Sequence, residues 1–123
     1  MGWLGDFLSD GKNRTRADEL YKEAMKFVSD DAEWMNVEAA KPLLRQAAAM
    51  GSQDAKLSLG AMLFDEYQQT YDRSALVESA KLMVQSAKSG HEPTKLFLAE
   101  IMRAGLAGNT AAREYIRAMR SFC

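Results

Sequence analysis

One stretch occurs twice in this chain, first as GSQDAKLSLGAML at residues 51–63 and again as GHEPTKLFLAEIM at residues 90–102. The second copy begins 39 residues after the first, a period typical of arrays built from paired helices. The repeat therefore predicts an all-α fold: a short α/α superhelical solenoid of about two helix pairs, closed by capping helices.

The apolar and small residues keep this register on both sides of the two glycines. Upstream of Gly51 and Gly90, the matched sets are Ala40, Leu43, Leu44, Ala47 and Ala48 against Ser79, Leu82, Met83, Ser86 and Ala87; downstream they are Leu57, Leu59, Gly60 and Met62 against Leu96, Leu98, Ala99 and Ile101. Spacings of three and four place such residues on one helix face. The pattern predicts a core containing Leu44, Ala48, Leu59, Leu82, Ala87 and Leu98. Gly51 and Gly90 are predicted at helix C-termini, where a left-handed residue is needed.

The chain is predicted to be one domain, 1–123, with its parts in a simple order. They are an N-terminal arm (1–14), a capping helix and loop (15–35), repeat 1 (36–67), repeat 2 (74–105) and a C-terminal capping helix (109–123). Pro93 is placed to open a helix. Pro42 lies inside a helical pattern, so we expect a kink there or a later helix start.

The residues that carry the pattern resemble a known family. In the first repeat they are Asn36, Ala40, Leu43, Leu44, Ala47, Ala48, Gly51, Ala55, Leu59 and Gly60; in the second they are Ser79, Leu82, Met83, Ala87, Gly90, Leu98 and Ala99. Over residues 36–105 the chain resembles the Sel-one-like repeat family of the tetratricopeptide-repeat superfamily. The resemblance implies an α/α superhelix that binds proteins or peptides, and it carries over no catalytic residue.

Composition is typical of a globular protein that remains in the cytoplasm. Hydrophobic residues make up 47% and charged residues 27%, and no apolar run is long enough to span a membrane. The first residues lack the pattern of a cleaved signal peptide. Cys123, the only cysteine, cannot form an internal disulfide, which fits a reducing compartment.

Side chains suited to catalysis are sparse, so we expect no enzyme activity, no cofactor and no metal site. His91 is the only histidine, and its position after Gly90 suits the start of a helix better than the role of a base. Cys123 is the one candidate nucleophilic thiol. The carboxylates lie where solvated charges are expected, and no phosphate-binding glycine loop is present.

The charges are divided along the chain. Residues 30–72 hold eight acidic against three basic side chains, a net charge of −5, whereas residues 73–123 hold four acidic against eight basic, a net charge of +4. This division either reflects chance or steers the chain toward a partner with a basic patch. A pI of about 5.8 and the lack of a basic stripe interleaved with aromatics disfavour nucleic-acid binding.

The segment DEYQQTYD at residues 65–72 departs from the family pattern, because it lengthens the connection between the repeats. A surface connection is a common place for binding residues, so we predict a protein-binding site at Asp65, Glu66, Tyr67, Tyr71 and Asp72. Trp34 is a further candidate on the same logic. The alternative is that both tyrosines pack in the groove between the repeats.

These observations predict a non-catalytic module that binds one protein partner. The most concrete form is a small bacterial immunity or antitoxin-type protein that neutralises a toxin by occluding it. The alternative is a cytoplasmic adaptor that joins signalling or secretion components, although two repeats offer little surface for two simultaneous partners.

Overall fold

The computed structural model describes residues 16–28 and 36–123. The predicted N-terminal arm (1–14) lies outside these ranges, and so do residues 15 and 29–35 of the predicted capping helix and loop, including the proposed binding residue Trp34. All regular structure in the described ranges is helical, which confirms the all-α class. No helix there combines the length and apolar character needed to cross a bilayer.

Six α-helices and one short 3₁₀ helix succeed each other within the described ranges. They are α1 (16–25), α2 (Val37–Ala49), α3 (Gln53–Thr70), α4 (Arg73–Lys88), α5 (Glu92–Leu106) and α6 (Thr110–Met119), and then the 3₁₀ helix Arg120–Phe122. Helix α2 begins directly after Asn36, whose side chain accepts a hydrogen bond from the Ala39 amide at 3.0 Å. Pro42 therefore lies inside α2, and the alternative of a later helix start is wrong.

The chain falls into two compact units, one ending at Lys56 and one spanning Leu57–Cys123. In the first unit, Ala17, Leu20 and Ala24 are buried along one face of α1, and α2 buries Leu44 with several alanines. The second unit has a continuous core, made of Phe64, Tyr67, Leu76, Ala80, Met83, Leu98, Ile101, Ala112 and Tyr115.

Glycines end three of the helices in left-handed conformations. Gly51, Gly90 and Gly108 have φ values of 99°, 91° and 102°, and the residue after each glycine donates its amide to the carbonyl five residues earlier, as in a Schellman motif. For example, the Ser52 amide donates to the Ala47 carbonyl at 3.0 Å. The predicted roles of Gly51 and Gly90 are confirmed.

Four of the six predicted core side chains are buried and two are not. Leu44, Ala48, Leu59 and Leu98 are buried. The prediction for Leu82 and Ala87 was wrong, because both are only half-buried. Leu82 lies at the edge of the α4 face that buries Leu76, Ala80 and Met83, and Ala87 packs against the core from the last turn of α4.

Side chains of α4 pack directly against the backbone of α3 at Gly60. A Cβ atom on this glycine would lie 2.7 Å from Met83 Cε on α4. Next to this contact, the buried Ser79 hydroxyl donates to the Gly60 carbonyl oxygen at 2.5 Å and lies 2.8 Å from the Tyr115 hydroxyl of α6. Because the single Ser79 proton is used on Gly60, the Tyr115 hydroxyl donates to Ser79. Burial raises the pKa of Tyr115.

The Ser79 hydroxyl should be worth more to stability than the Tyr115 hydroxyl. Tyr115→Phe removes one donor and leaves Ser79 bonded to Gly60, so we expect a loss of about 1 kcal/mol; Ser79→Ala strands the buried Tyr115 hydroxyl and should cost about 1 to 3 kcal/mol. The double variant should be no less stable than Ser79→Ala alone, because the stranded hydroxyl is gone. Urea unfolding of the three variants measures these values, and strictly additive losses would contradict the network.

Candidate protein-binding surface

Helix α5 presents an apolar face to solvent. Leu96, Met102 and Leu106 are 67%, 53% and 88% exposed, and Ala99 is exposed between them. These residues are three or four positions apart, so they form one stripe. The core-facing side of the helix buries a different set: Thr94, Leu98, Ile101 and Gly105. The exposed stripe is therefore not used to pack α5 against the core.

The matching positions of α3, 39 residues earlier, are covered. Gly60, Leu63 and Tyr67 are buried, and Leu57 is half-buried against the core. The same stripe is thus a packing surface in α3 and an open one in α5. The sequence pattern placed Leu96 with packing residues, but it is exposed, because α6 approaches α5 at Gly105, near the other end of the helix.

A groove of about 510 Å³ lies between α5 and α6. We call it the α5–α6 groove. Its lining residues are Met102, Gly105 and Leu106 from α5 and Arg113, Ile116, Arg117 and Arg120 from the C-terminal part of the chain. Gly105 permits the approach of α6 at its floor, because a Cβ atom there would lie 2.9 Å from Ile116 Cδ1. One wall is apolar and the other is lined with arginines.

The three arginines of the groove differ in what they contact. The Arg113 Nε donates to the Gly105 carbonyl oxygen at 3.0 Å, which holds this side chain across the groove floor. Arg117 pairs with Glu114 at 3.1 Å, an exposed ion pair of the kind that contributes little to stability. Among the described residues, no ion pair is recorded for Arg120. The basic wall carries three guanidinium groups, of which Arg117 shares its charge with Glu114 in an ion pair and Arg113 is bonded only to an uncharged carbonyl.

The predicted binding segment at residues 65–72 is mostly helix rather than a connecting loop. Helix α3 continues to Thr70, so only Tyr71 and Asp72 link it to α4. This correction follows from local hydrogen bonding: the Gln69 side chain donates to Asp65 at 2.9 Å, and the Thr70 hydroxyl donates to the Glu66 carbonyl at 2.8 Å. Both contacts favour a further helical turn. Asp65 is exposed and Glu66 is half-buried.

The two tyrosines of this segment have different environments. Tyr67 lies in the core of the second unit, which favours the packing alternative for this residue. Tyr71 is 76% exposed and has a φ of 59°, a left-handed conformation that is unfavourable for a residue with a Cβ atom. Its ring meets the Tyr67 ring edge-on, with 6.1 Å between centroids. Of the two, Tyr71 is the side chain available to a partner.

Asp72, also predicted to bind a partner, has a local structural role. It is the N-cap of α4, and its carboxylate accepts from the Ser74 amide at 2.9 Å and from the Ser74 hydroxyl at 2.7 Å. An aspartate at this position stabilises a helix N-terminus.

The side chains considered for catalysis also have structural surroundings. His91 is the N-cap residue of α5, and its ring lies 2.8 Å from the Thr94 hydroxyl, which in turn lies 2.8 Å from Ser86. Ser86 and Thr94 are fully buried. Cys123 is exposed. In the part of the chain that the structure describes, no three metal-binding side chains cluster.

Positions related by 39 residues share much of their burial. Ala40 and Ser79, Leu44 and Met83, and Ala55 and Thr94 are all fully buried pairs. Comparison of the chain with protein-family models, with curated proteins and with solved structures found no match.

The groove itself was not foreseen from the sequence. The sequence indicates the groove through Arg113, Arg117 and Arg120, which are three of the basic residues that give residues 73–123 their positive net charge. Spacings of four and three place these residues along one side of a helix. The opposite wall of the groove, on α5, could not be recognised from the sequence, because it depends on the exposure of Leu106.

Truncating the two tyrosines should separate their roles. We expect Tyr67→Ala to lower the free energy of unfolding by about 3 to 5 kcal/mol, as for other buried aromatic side chains. Tyr71→Ala removes an exposed ring and one edge contact, so it should cost less than about 1 kcal/mol. Chemical denaturation of both variants gives the comparison. Equal losses would show that Tyr71 is part of the packing and not a free surface residue.

Proposed function

We propose that this chain is a non-catalytic protein-binding module of the Sel-one-like repeat kind, which binds one protein partner at the α5–α6 groove and the exposed face of α5. The most concrete form is a bacterial immunity or antitoxin-type protein that occludes a toxin in the cytoplasm. The observation that carries the proposal is the exposure of Leu96, Met102 and Leu106 on a face whose counterpart in α3 is covered.

The energetics of this face favour a partner. Burying one exposed leucine or methionine side chain contributes about 1.5 to 3 kcal/mol, and part of that gain offsets the entropy lost on association. Met102 adds an adaptable side chain at the centre of the stripe. A contiguous apolar stripe beside a concave groove is the surface that an interface core requires.

The acidic residues of the 30–72 region favour a second role, which is to attract the partner before it binds. Asp65 is exposed at the C-terminal end of α3, near the exposed ring of Tyr71. Charges placed this way affect the rate of encounter more than the stability of the fold. We propose that the toxin carries a basic patch that Asp65 and Glu66 attract.

An adaptor that joins two proteins is the second candidate, and Tyr71 is the observation that favours it. This tyrosine is 76% exposed and has a left-handed conformation that is unfavourable for a residue with a Cβ atom. Residues in such conformations concentrate at functional sites. If the groove and the Tyr71 region bind different proteins, the module is an adaptor.

Capture from the native host should identify one stoichiometric partner. Leu106→Glu should reduce its recovery about tenfold or more. The change removes an apolar anchor residue and places a charge in an apolar interface, and both effects weaken binding. The matched control is Val77→Glu, the same change at an exposed apolar position on α4. Mass spectrometry with comparison of the two variants measures the effect. Several signalling proteins instead of one toxin would support the adaptor, and equal recovery with both variants would contradict the groove.

Reversing the charges of Asp65 and Glu66 tests separately whether these residues attract the partner. The double change Asp65→Lys and Glu66→Lys should slow association with the captured partner by about tenfold at low salt and flatten its salt dependence. The rate of dissociation and the melting temperature should change little. Stopped-flow association at low and high salt measures this. An association rate that is independent of both salt and these charges would exclude a basic patch on the partner.

A further inference from the structure

We infer that the segment of the partner that enters the α5–α6 groove is an acidic amphipathic helix. The inference rests on the proposed function and specifies the chemistry of the partner at that site. It comes from the juxtaposition of an apolar wall on α5 with a row of arginines that begins on α6.

The shape and lining of the groove select among the common ways of binding a peptide. Strand addition needs a free sheet edge, and the described residues contain helices only. Proline-rich segments dock on aromatic-lined grooves, whereas no aromatic side chain lines this one. A helix laid in a groove between two helices needs an apolar channel, and Met102, Leu106 and Ile116 provide it.

The arrangement of charge specifies the sign of the partner helix. Arg113, Arg117 and Arg120 succeed each other at one-turn spacing and all line the groove. A guanidinium binds a carboxylate with two parallel hydrogen bonds, an arrangement that gives both strength and orientation. A helix with leucines at i, i+3, i+4 and i+7 and glutamates along one side of that stripe would meet the apolar wall and the arginines together.

Two other occupants fit the groove less well. A second copy of this chain offers exposed acids beside the apolar stripe of its own α5, but these acids, Glu92 and Glu100, are already paired with Lys95 and Arg103 on the same helix. A lipid bilayer presents an anionic surface, but a flat surface contacts the rim of a concave groove and leaves Gly105 and Ile116 at its floor uncovered.

The experiment uses the full chain and a synthetic probe. The probe is an alanine-based helical peptide with leucines at i, i+3, i+4 and i+7 and glutamates on one flank. The matched peptide replaces every glutamate with lysine and keeps the leucines. Fluorescence anisotropy measures both dissociation constants. We expect the glutamate peptide to bind about tenfold or more tightly than the lysine peptide, with affinity falling as salt rises.

Four protein variants then locate the peptide. Leu106→Glu and Arg117→Glu should each weaken the glutamate peptide by about tenfold or more. Val77→Glu, at an exposed apolar position on α4 outside the groove lining, is the control for the first change; Lys81→Glu, at an exposed position on α4, is the control for the second. Both controls should change the dissociation constant by less than about twofold. Arg117→Glu should also make the lysine peptide bind more tightly than it binds the unchanged protein.

Three results with the peptides and with vesicles would overturn the inference. The first is equal affinity for the two peptides, and the second is equal weakening of the glutamate peptide by Val77→Glu and Leu106→Glu. The third is sedimentation with phosphatidylglycerol vesicles that Arg117→Glu abolishes while neither peptide binds, which would assign the groove to a membrane. Failure of the glutamate peptide beside a native partner that is lost with Leu106→Glu would reject the acidic helix and leave the proposed function standing. A peptide that binds as expected beside a native partner insensitive to Leu106→Glu would reject the proposed partner site instead.

Discussion

The second unit depends on one buried hydroxyl. The Ser79 side chain on α4 contacts the Gly60 carbonyl of α3 and the Tyr115 hydroxyl of α6. These three residues are nearly fully inaccessible to water, so each polar atom must find its partner within the protein. Met83 occupies the space beside Gly60 that a larger side chain would need, because a Cβ atom there would lie 2.7 Å from Met83 Cε. The position of α6 is set by this contact together with the Phe64–Tyr115 ring pair, whose centroids are 4.7 Å apart.

Fixing α6 in turn creates the groove. Helix α6 is joined to α5 by a glycine turn at Gly108, and it lies against α5 where Gly105 leaves room for Ile116. With Tyr115 held in the core, the neighbouring positions 113, 116 and 117 are directed toward α5 by the helical period. The basic wall is therefore a consequence of core packing: the residue that anchors α6 also orients the arginines. The Arg113 bond to the Gly105 carbonyl adds a second, direct constraint on the same wall.

Much of the helical structure could be predicted from the sequence, since its determinants are local. Glycine turns, the Asn36 and Asn109 caps and the three-four spacing of Leu44, Ala48 and their equivalents depend on neighbouring residues. The end of α3 was misjudged because the side chains of Asp65 and Thr70 stabilise another turn in a polar segment that has no apolar periodicity. The predictions for Trp34 and the N-terminal arm concern residues outside the described ranges.

The candidate site was harder to predict because exposure is a property of the whole packing arrangement. Leu96 and Leu57 occupy equivalent positions in the two sequence copies, and nothing in either stretch distinguishes a covered leucine from an open one. The difference arises from the next helix along the chain in each case. Helix α4 crosses α3 at Gly60, near its middle, whereas α6 meets α5 at Gly105, in its last turn, and folds back onto the core through Tyr115.

Helix α5 has an exposed apolar face, formed by Leu96, Met102 and Leu106, at positions whose counterparts in α3 are covered. Exposing these side chains to water is unfavourable, and a partner that covered the face, as proposed, would remove that cost. In the proposed complex the arginines beside the face would discriminate among proteins, because an unmatched charge at the edge of an apolar contact opposes association.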